Sequence, residues 1–371
     1  MIFLILSTAL TGLAGAVFHR LPFLPWYISY SDVWKFFRVA KLEGWPYVDF
    51  SVEYPVLTGI FIKIVGLFGF GNQTLYYGVS VFLLVLGAAI VTFLLFKIEP
   101  NSGRRILLYW ALAPSIFVFL TANWDILAVL PAVAALYFAS RGKFLLAASL
   151  LAVGASAKFY PVIYLLSLVF LVPSWLARVK AAASFALIFA AINAPFMLAN
   201  FEGWRHFWLF NSAREPNFDS IWTIFKIAIP ELSVGWINGL SLLIFISGIA
   251  FLWRRLSKSS LLYACLAVTL LFLITNKVFS PQYILWLLPL FVLTDLPGKS
   301  LFYALEAANL TVFFFILAWQ DSLSGGVLTP NALFWIAAGA VLIRHAVLTG
   351  IFLKTISRAK NATLDYGHSK R

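Results

Sequence analysis

Apolar runs of membrane-spanning length follow one another from end to end of the chain, separated by short polar connections. The pattern predicts packed helices and leaves no stretch for a separate water-soluble domain. The strongly basic connections are 97–105, 141–143, 178–180, 253–258, 298–299 and the tail from Lys354 to Arg371. Placed on the cytoplasmic side, where short loops carry excess Lys and Arg, they require the helices between them to come in pairs. The sequence supplies such pairs at 106–121 with 125–140, 144–157 with 160–175, 181–199 with 234–252, 260–275 with 282–294 and 300–319 with 331–350. Upstream, 1–18 and 74–97 are two further spans. The segment 54–70 would place the basic 97–105 loop outside if it crossed, so it is read as an interfacial or re-entrant helix, in keeping with its short length and Lys63.

The expected architecture is therefore all-α: one polytopic membrane domain over 1–371, with about twelve transmembrane helices and both termini cytoplasmic. A first external loop with interfacial helices occupies 19–73, core helices and a second large external loop 74–233, and C-terminal helices with a cytoplasmic tail 234–371. Residues 1–18 are read as a retained helix rather than a cleaved signal peptide, because no basic n-region precedes the apolar run.

Composition supports this reading. Of 371 residues, 62% are hydrophobic and 11% charged, against about 45–50% and about 25% in soluble domains. A net charge of +13 would suggest nucleic acid in a soluble protein. Here the basic residues sit mostly in short loops and orient the chain, so no nucleic-acid partner is implied. The single Cys265 lies in an apolar run and can form neither an internal disulfide nor a cysteine-only metal site. His19, His206, His345 and His368 are scattered. No metal site is expected from them, although a hard divalent cation held by Asp32 and Glu53 stays open.

With this topology, the polar residues outside the basic loops gather on one side, the extracytoplasmic one. The outer connections there are 19–55, 122–125, 157–161, 201–222, 276–283 and 320–331. Ionisable groups beside a bilayer are expensive and point to function. Asp32 stands among aromatic residues, where a carboxylate gains proton affinity and suits a general base; the structural alternative is that Ser31 or Asp32 caps a helix. Glu53 and Asp49 are either site carboxylates or solvated loop charges. Asn123 and Asp125 open a spanning helix, where capping is an adequate alternative. Lys158 and Lys277 lie at outer helix ends and Arg214 in the long outer loop. For Lys158, snorkelling at a helix end stands as an even alternative to a role in the site. It explains Lys277 less well, since Asn276, Ser280, Gln282 and Tyr283 crowd the same turn. With Arg214, these lysines could bind a phosphate at headgroup level.

Four segments carry a family resemblance: SDVWKFFRVAKLEGWPYVDFSVEYPVLTG (31–59), NWDILAVLPAVAALYFASRGKFLLAASLLAVGASAKFYPVIYL (123–165), AREPNFDSIW (213–222) and NKVFSPQYILWLLPL (276–290). In this order they resemble the multi-spanning GT-C glycosyltransferases that use a polyprenyl-phosphate sugar, in particular the PIG-M (GPI mannosyltransferase I) and PimE-like mannosyltransferases. The resemblance implies an external cavity for donor and acceptor lipids, with Asp32 as catalytic base. Lys158, Arg214 and Lys277 fall at family motif positions. The substrate-binding set expected from these motifs and the residues around them is Glu53, Tyr54, Asp125, Lys158, Tyr160, Arg214, Asn217, Ser220, Lys277, Ser280, Gln282 and Tyr283. The implied activity is transfer of a sugar, mannose first, from polyprenyl (dolichyl) phosphate to a lipid or glycan acceptor. A small membrane partner subunit fits the same resemblance, and a prokaryotic cell membrane, or the endoplasmic reticulum in a eukaryote, is the expected location. One departure stands out: PIG-M-like enzymes carry a paired acidic motif where this chain has Ser31-Asp32-Val33-Trp34, which puts divalent-metal dependence in doubt. The rival readings are a transporter or flippase of an anionic or lipid-linked substrate, and a noncatalytic assembly subunit. A transporter is expected to show internal repeats and ionisable groups near the midplane.

Overall fold

A computed structural model of the chain describes residues 1–172, 174–256, 260–323 and 329–359. The predicted tail beyond 359, with His368, lies outside the described residues, as does Lys258. The described chain is all-helical, with no β-strand among the described residues. In order the helices are α1 (Ile2–Phe18), α2 (Asp32–Lys35), α3 (Phe37–Ala40), α4 (Val56–Phe68), α5 (Gln73–Ile98), α6 (Gly103–Ile106) and α7 (Pro114–Phe119). There follow α8 (Ile126–Ala139), α9 (Phe144–Ala157), α10 (Pro161–Leu171), α11 (Trp175–Ala199), α12 (Phe201–Ala213) and α13 (Ile221–Ala228). The last are α14 (Val234–Leu256), α15 (Leu261–Thr275), α16 (Leu288–Thr294), α17 (Lys299–Ser322) and α18 (Ala332–Ala359).

Five of these, α5, α11, α14, α17 and α18, are long and apolar enough to cross a membrane, against about twelve expected. Proline is one cause of the shortfall. The expected 106–121 helix runs from α6 into a π-helical turn at Leu107–Ala111 and breaks before Pro114, which starts α7. Pro114 has no N–H to donate, and its ring would collide with the carbonyl four residues earlier. The expected 282–294 helix likewise divides into a 3-10 segment, Pro281–Trp286, and the short α16, with a proline at the start of each.

The chain folds back and forth through antiparallel pairs. Thr8 on α1 meets Thr92 on α5 at 2.9 Å, while at the other end of the same pair Tyr77 Oη donates to the Ala16 carbonyl. Helix α1 also approaches α7 so closely that a Cβ on Gly15 would lie 1.9 Å from the Phe117 carbonyl oxygen. Only glycine fits this contact. Helix α4 stays with the first loop along its length: Thr58 in its first turn donates to Ala157 at the close of α9, the Lys63 ammonium donates to Leu42, and a Cβ on Gly66 near its end would lie 2.7 Å from the Ala40 methyl. At the end of the bundle opposite the first loop, Tyr109 packs edge-on against Phe302, Lys354 donates to the Pro297 carbonyl, and Phe170 stacks on Trp253. These contacts gather the basic connections near 104, 254, 299 and 354 away from the first loop.

The polar residues are not all at one end. Glu306 on α17 and Arg344 and His345 on α18 are buried inside the helical body. Glu306 accepts from the backbone N–H and the hydroxyl of Ser115, holding the first turn of the broken α7. A free N–H at a helix start in an apolar interior needs such a partner.

Candidate active site

The first loop and the 200–233 connection close over a cavity of about 790 Å³ at the end of the bundle away from the basic connections. One anchor lies within the first loop and a second joins it to the 200–233 connection. Tyr47 is buried and donates to the carbonyls of Tyr54 and Pro55, each at 2.8 Å, fixing the chain that carries Glu53. Asn200, at the start of α12, donates to the Val48 carbonyl. Asp49 binds the Trp45 N–H and serves this turn rather than the cavity.

Asp32 lines the cavity. Ser31, not Asp32, caps α2 by accepting from the Trp34 N–H, so the Asp32 carboxylate is free to face inward. Tyr30 Oη donates to its Oδ1 at 2.6 Å and Asn123 Nδ2 to its Oδ2 at 2.8 Å, while its backbone N–H is tied to the Ala122 carbonyl. These bonds fix its orientation and still leave lone pairs toward the cavity. Burial pushes its pKa up, and the opposing pull of Tyr30, Asn123, Lys158 and Lys35 does not reverse that. Glu53 opens onto the same cavity, and burial and then the Asp32 charge raise its pKa against Arg214, Arg38 and His206.

Asp125 does not cap α8. Its side chain turns inward, where Lys158 Nζ meets Oδ2 at 2.8 Å and the Trp286 indole donates to Oδ1 at 2.6 Å. The carboxylate is fully enclosed, while the Lys158 side chain keeps 13% exposure and lines the cavity. Its ammonium lies 4.9 Å from the Tyr283 ring centre. Tyr160, Trp286 and Tyr283 form a continuous stack, with ring centres 4.2 and 3.9 Å apart, which sets this wall.

Across the cavity, Lys277 is only 5% exposed and donates to the carbonyls of Ser212 and Arg214. Burial and then Arg214 lower its pKa. Much of its hydrogen-bonding capacity therefore holds the end of α12 in place, with the cavity as its remaining outlet. Arg214 donates to Asn217, and Asn217 to Ser280 at 3.0 Å, so three of the expected residues form one chain along the wall. Gln282 lines the cavity beside them. Ser220 stands behind the lining: it caps α13 through the Trp222 N–H and bonds the Asn276 carbonyl.

The structure thus brings Asp32, Glu53, Tyr54, Lys158, Tyr160, Arg214, Asn217, Lys277, Ser280, Gln282 and Tyr283 to one cavity, and sets Asp125 and Ser220 behind its wall. The motif reading omitted Tyr30, Trp286, Asp219 and Phe313, which also line it, and Arg344 behind them. An arginine inside an otherwise apolar helix was the available signal for the last. Among the described residues no group of three His, Cys, Asp or Glu that could hold a metal ion occurs.

The profile of Glycosyltransferase family 87 matches residues 52–281, more than half of the chain. No curated protein matches it.

Proposed function

The chain belongs to glycosyltransferase family 87, a GT-C-type family of membrane glycosyltransferases, and from that premise we propose that it transfers a sugar, mannose first, from a polyprenyl-phosphate donor to a hydroxyl of a lipid or glycan acceptor. The observation that carries this reading is Asp32: a carboxylate of raised proton affinity, oriented by two hydrogen bonds, in a cavity that also presents Lys158 and Arg214.

In this reading the acceptor hydroxyl gives its proton to Asp32, and its oxygen attacks the anomeric carbon as the bond to the phosphate oxygen breaks. The electron pair leaves with polyprenyl phosphate, through an oxocarbenium-like transition state and with inversion. Lys158 and Arg214, with the outward side of Lys277, stabilise the charge that grows on the departing phosphate. The apolar side chains of Val162, Leu166, Phe245 and Phe272 continue the cavity between α10, α14 and α15, and suit a polyprenyl chain. In the same reading the chain makes about twelve passes, with the broken helices counted, and has cytoplasmic termini and an extracytoplasmic cavity, an orientation that the basic connections at the far end support.

The test is release of polyprenyl phosphate from polyprenyl-phosphate-mannose by the purified protein with a host lipid extract, wild type against Asp32→Asn. Turnover lost in the variant supports the reading, and the mannosylated product identifies the acceptor. Failure of the wild type with mannose, glucose and arabinose donors, while it still binds them, would favour a transport role.

A further inference from the structure

Asp219 sits on the turn before α13 and lines the cavity at 9% exposure. Its Oδ1 is enclosed without a hydrogen-bond partner among the described residues. A buried carboxylate oxygen left unpaired is costly, and its retention calls for a specific explanation such as a ligand. Arg344 does not neutralise it directly. The guanidinium donates instead to the backbone carbonyl of Asp219 and to Asn309 Oδ1 at 2.9 Å, and lies 3.8 Å from the Phe279 ring centre. No ion pair between Arg344 and the Asp219 carboxylate within 4.0 Å occurs among the described residues. Arg344 therefore fixes the turn and leaves Oδ1 of the carboxylate without a partner among the described residues.

The cavity that Asp219 lines also carries groups of complementary chemistry. Phe313 and Gln320 reach the cavity from one face of α17, two turns apart, and Tyr30 packs edge-on against Phe313 at 6.3 Å. A carboxylate, an amide and an aromatic face together suit a ring that carries adjacent hydroxyls on its edge and C–H bonds on its face. We propose that Asp219 is a specificity-determining residue of this cavity, accepting hydrogen bonds from neighbouring hydroxyls of a sugar-like ring. The inference rests on the transferase reading and deepens it. The ring is either the transferred sugar or a sugar or polyol headgroup of the acceptor, and the experiment separates the two.

Purified full-length wild type, Asp219→Ala and Asp219→Asn are compared in turnover of polyprenyl-phosphate-mannose with host lipid extract, and in binding of sugar-free polyprenyl phosphate. Asp219→Ala should bind polyprenyl phosphate like wild type, yet show a KM raised roughly 10- to 100-fold for one substrate, the range for a lost hydrogen bond to a charged group. A rise for the donor assigns the ring to the transferred sugar, and a rise for the extract assigns it to the acceptor. If the alanine variant does not fold, Asp219→Asn keeps the shape and removes the charge, and should still raise one KM by about threefold or more. Unchanged KM values in a folded variant, with wild type active, overturn the proposal, as does an equal loss of affinity for sugar-free polyprenyl phosphate. Wild type inactive with every donor would remove the transferase reading itself.

Discussion

Lys158 and Asp125 form a 2.8 Å ion pair in which the carboxylate is fully enclosed and the ammonium reaches the cavity. The pair converts a lysine that could have snorkelled at a helix end into a positioned cation. Removing one partner of a buried pair strands the other without compensation.

Asp125→Ala should therefore destabilise the protein by about 3 kcal/mol, and the Asp125→Ala/Lys158→Met double variant by less than the sum of the two single changes. Thermal denaturation of the four proteins in one detergent checks this. Additive losses would show that the pair is not coupled.

Asp32→Asn should lower the transfer rate by about 100- to 10,000-fold, the range for loss of a general base. Because burial raises the Asp32 pKa, the base becomes protonated at a higher pH than an ordinary carboxylate near about 4. The acid limb of the kcat/KM profile should accordingly lie above that value. A wild-type rate that is flat down to pH 4 would argue against Asp32 as the base.

Asp219 carries a different pH signature. Burial raises its pKa to about 6, against the pull of Arg344, its own backbone N–H, Asn217 and Arg214. Between about 4 and 6 the folded protein then binds more protons at this position than the unfolded chain does, so stability falls as pH rises through that window. The contribution is on the order of 2–3 kcal/mol. Melting temperatures of wild type and Asp219→Asn measured from pH 4 to 7 should converge at the acid end if wild type loses stability as pH rises and the variant does not. Parallel curves would rule this out.

Gly203 on α12 packs against the first loop, where an added Cβ would lie 2.4 Å from the Tyr47 carbonyl oxygen. Alanine ordinarily stabilises a helix interior over glycine by about 0.5–1 kcal/mol. Here the collision should win, with a net loss of about 1–3 kcal/mol. A lower melting temperature for Gly203→Ala, with weakened turnover as the roof of the cavity shifts, is the expected result. An unchanged melting temperature would mean that α12 does not dock on Tyr47 as described.

Much of the candidate site was legible in the chain because motif residues cluster in a few connections between apolar runs: Asp32, Glu53, Lys158, Arg214 and Gln282 all line one cavity. Helix lengths were less legible. Proline positions such as Pro114 and Pro281 are plain in the sequence, but whether each kinks, shortens or divides a helix depends on what its neighbours supply to the freed backbone groups. At α7 that supply is Glu306, 191 residues away in sequence.

The sequence by itself determined an all-helical chain, where its basic connections lie, and which connections concentrate the polar residues that line the cavity, because hydropathy and charge are local properties. Only the tertiary structure decided what each charged group does. Asp125 could have capped α8, but it bonds Lys158 and Trp286, 33 and 161 residues away. Lys277 could have faced a phosphate with all its donors, but two carbonyls at the end of α12 hold it. Arg344 reads as an isolated charge in an apolar helix until the fold brings the Asp219 turn to it across 125 residues. In a low-dielectric interior a charge must be satisfied wherever it lies. The chain records that demand at each residue, and only packing selects the partner that meets it.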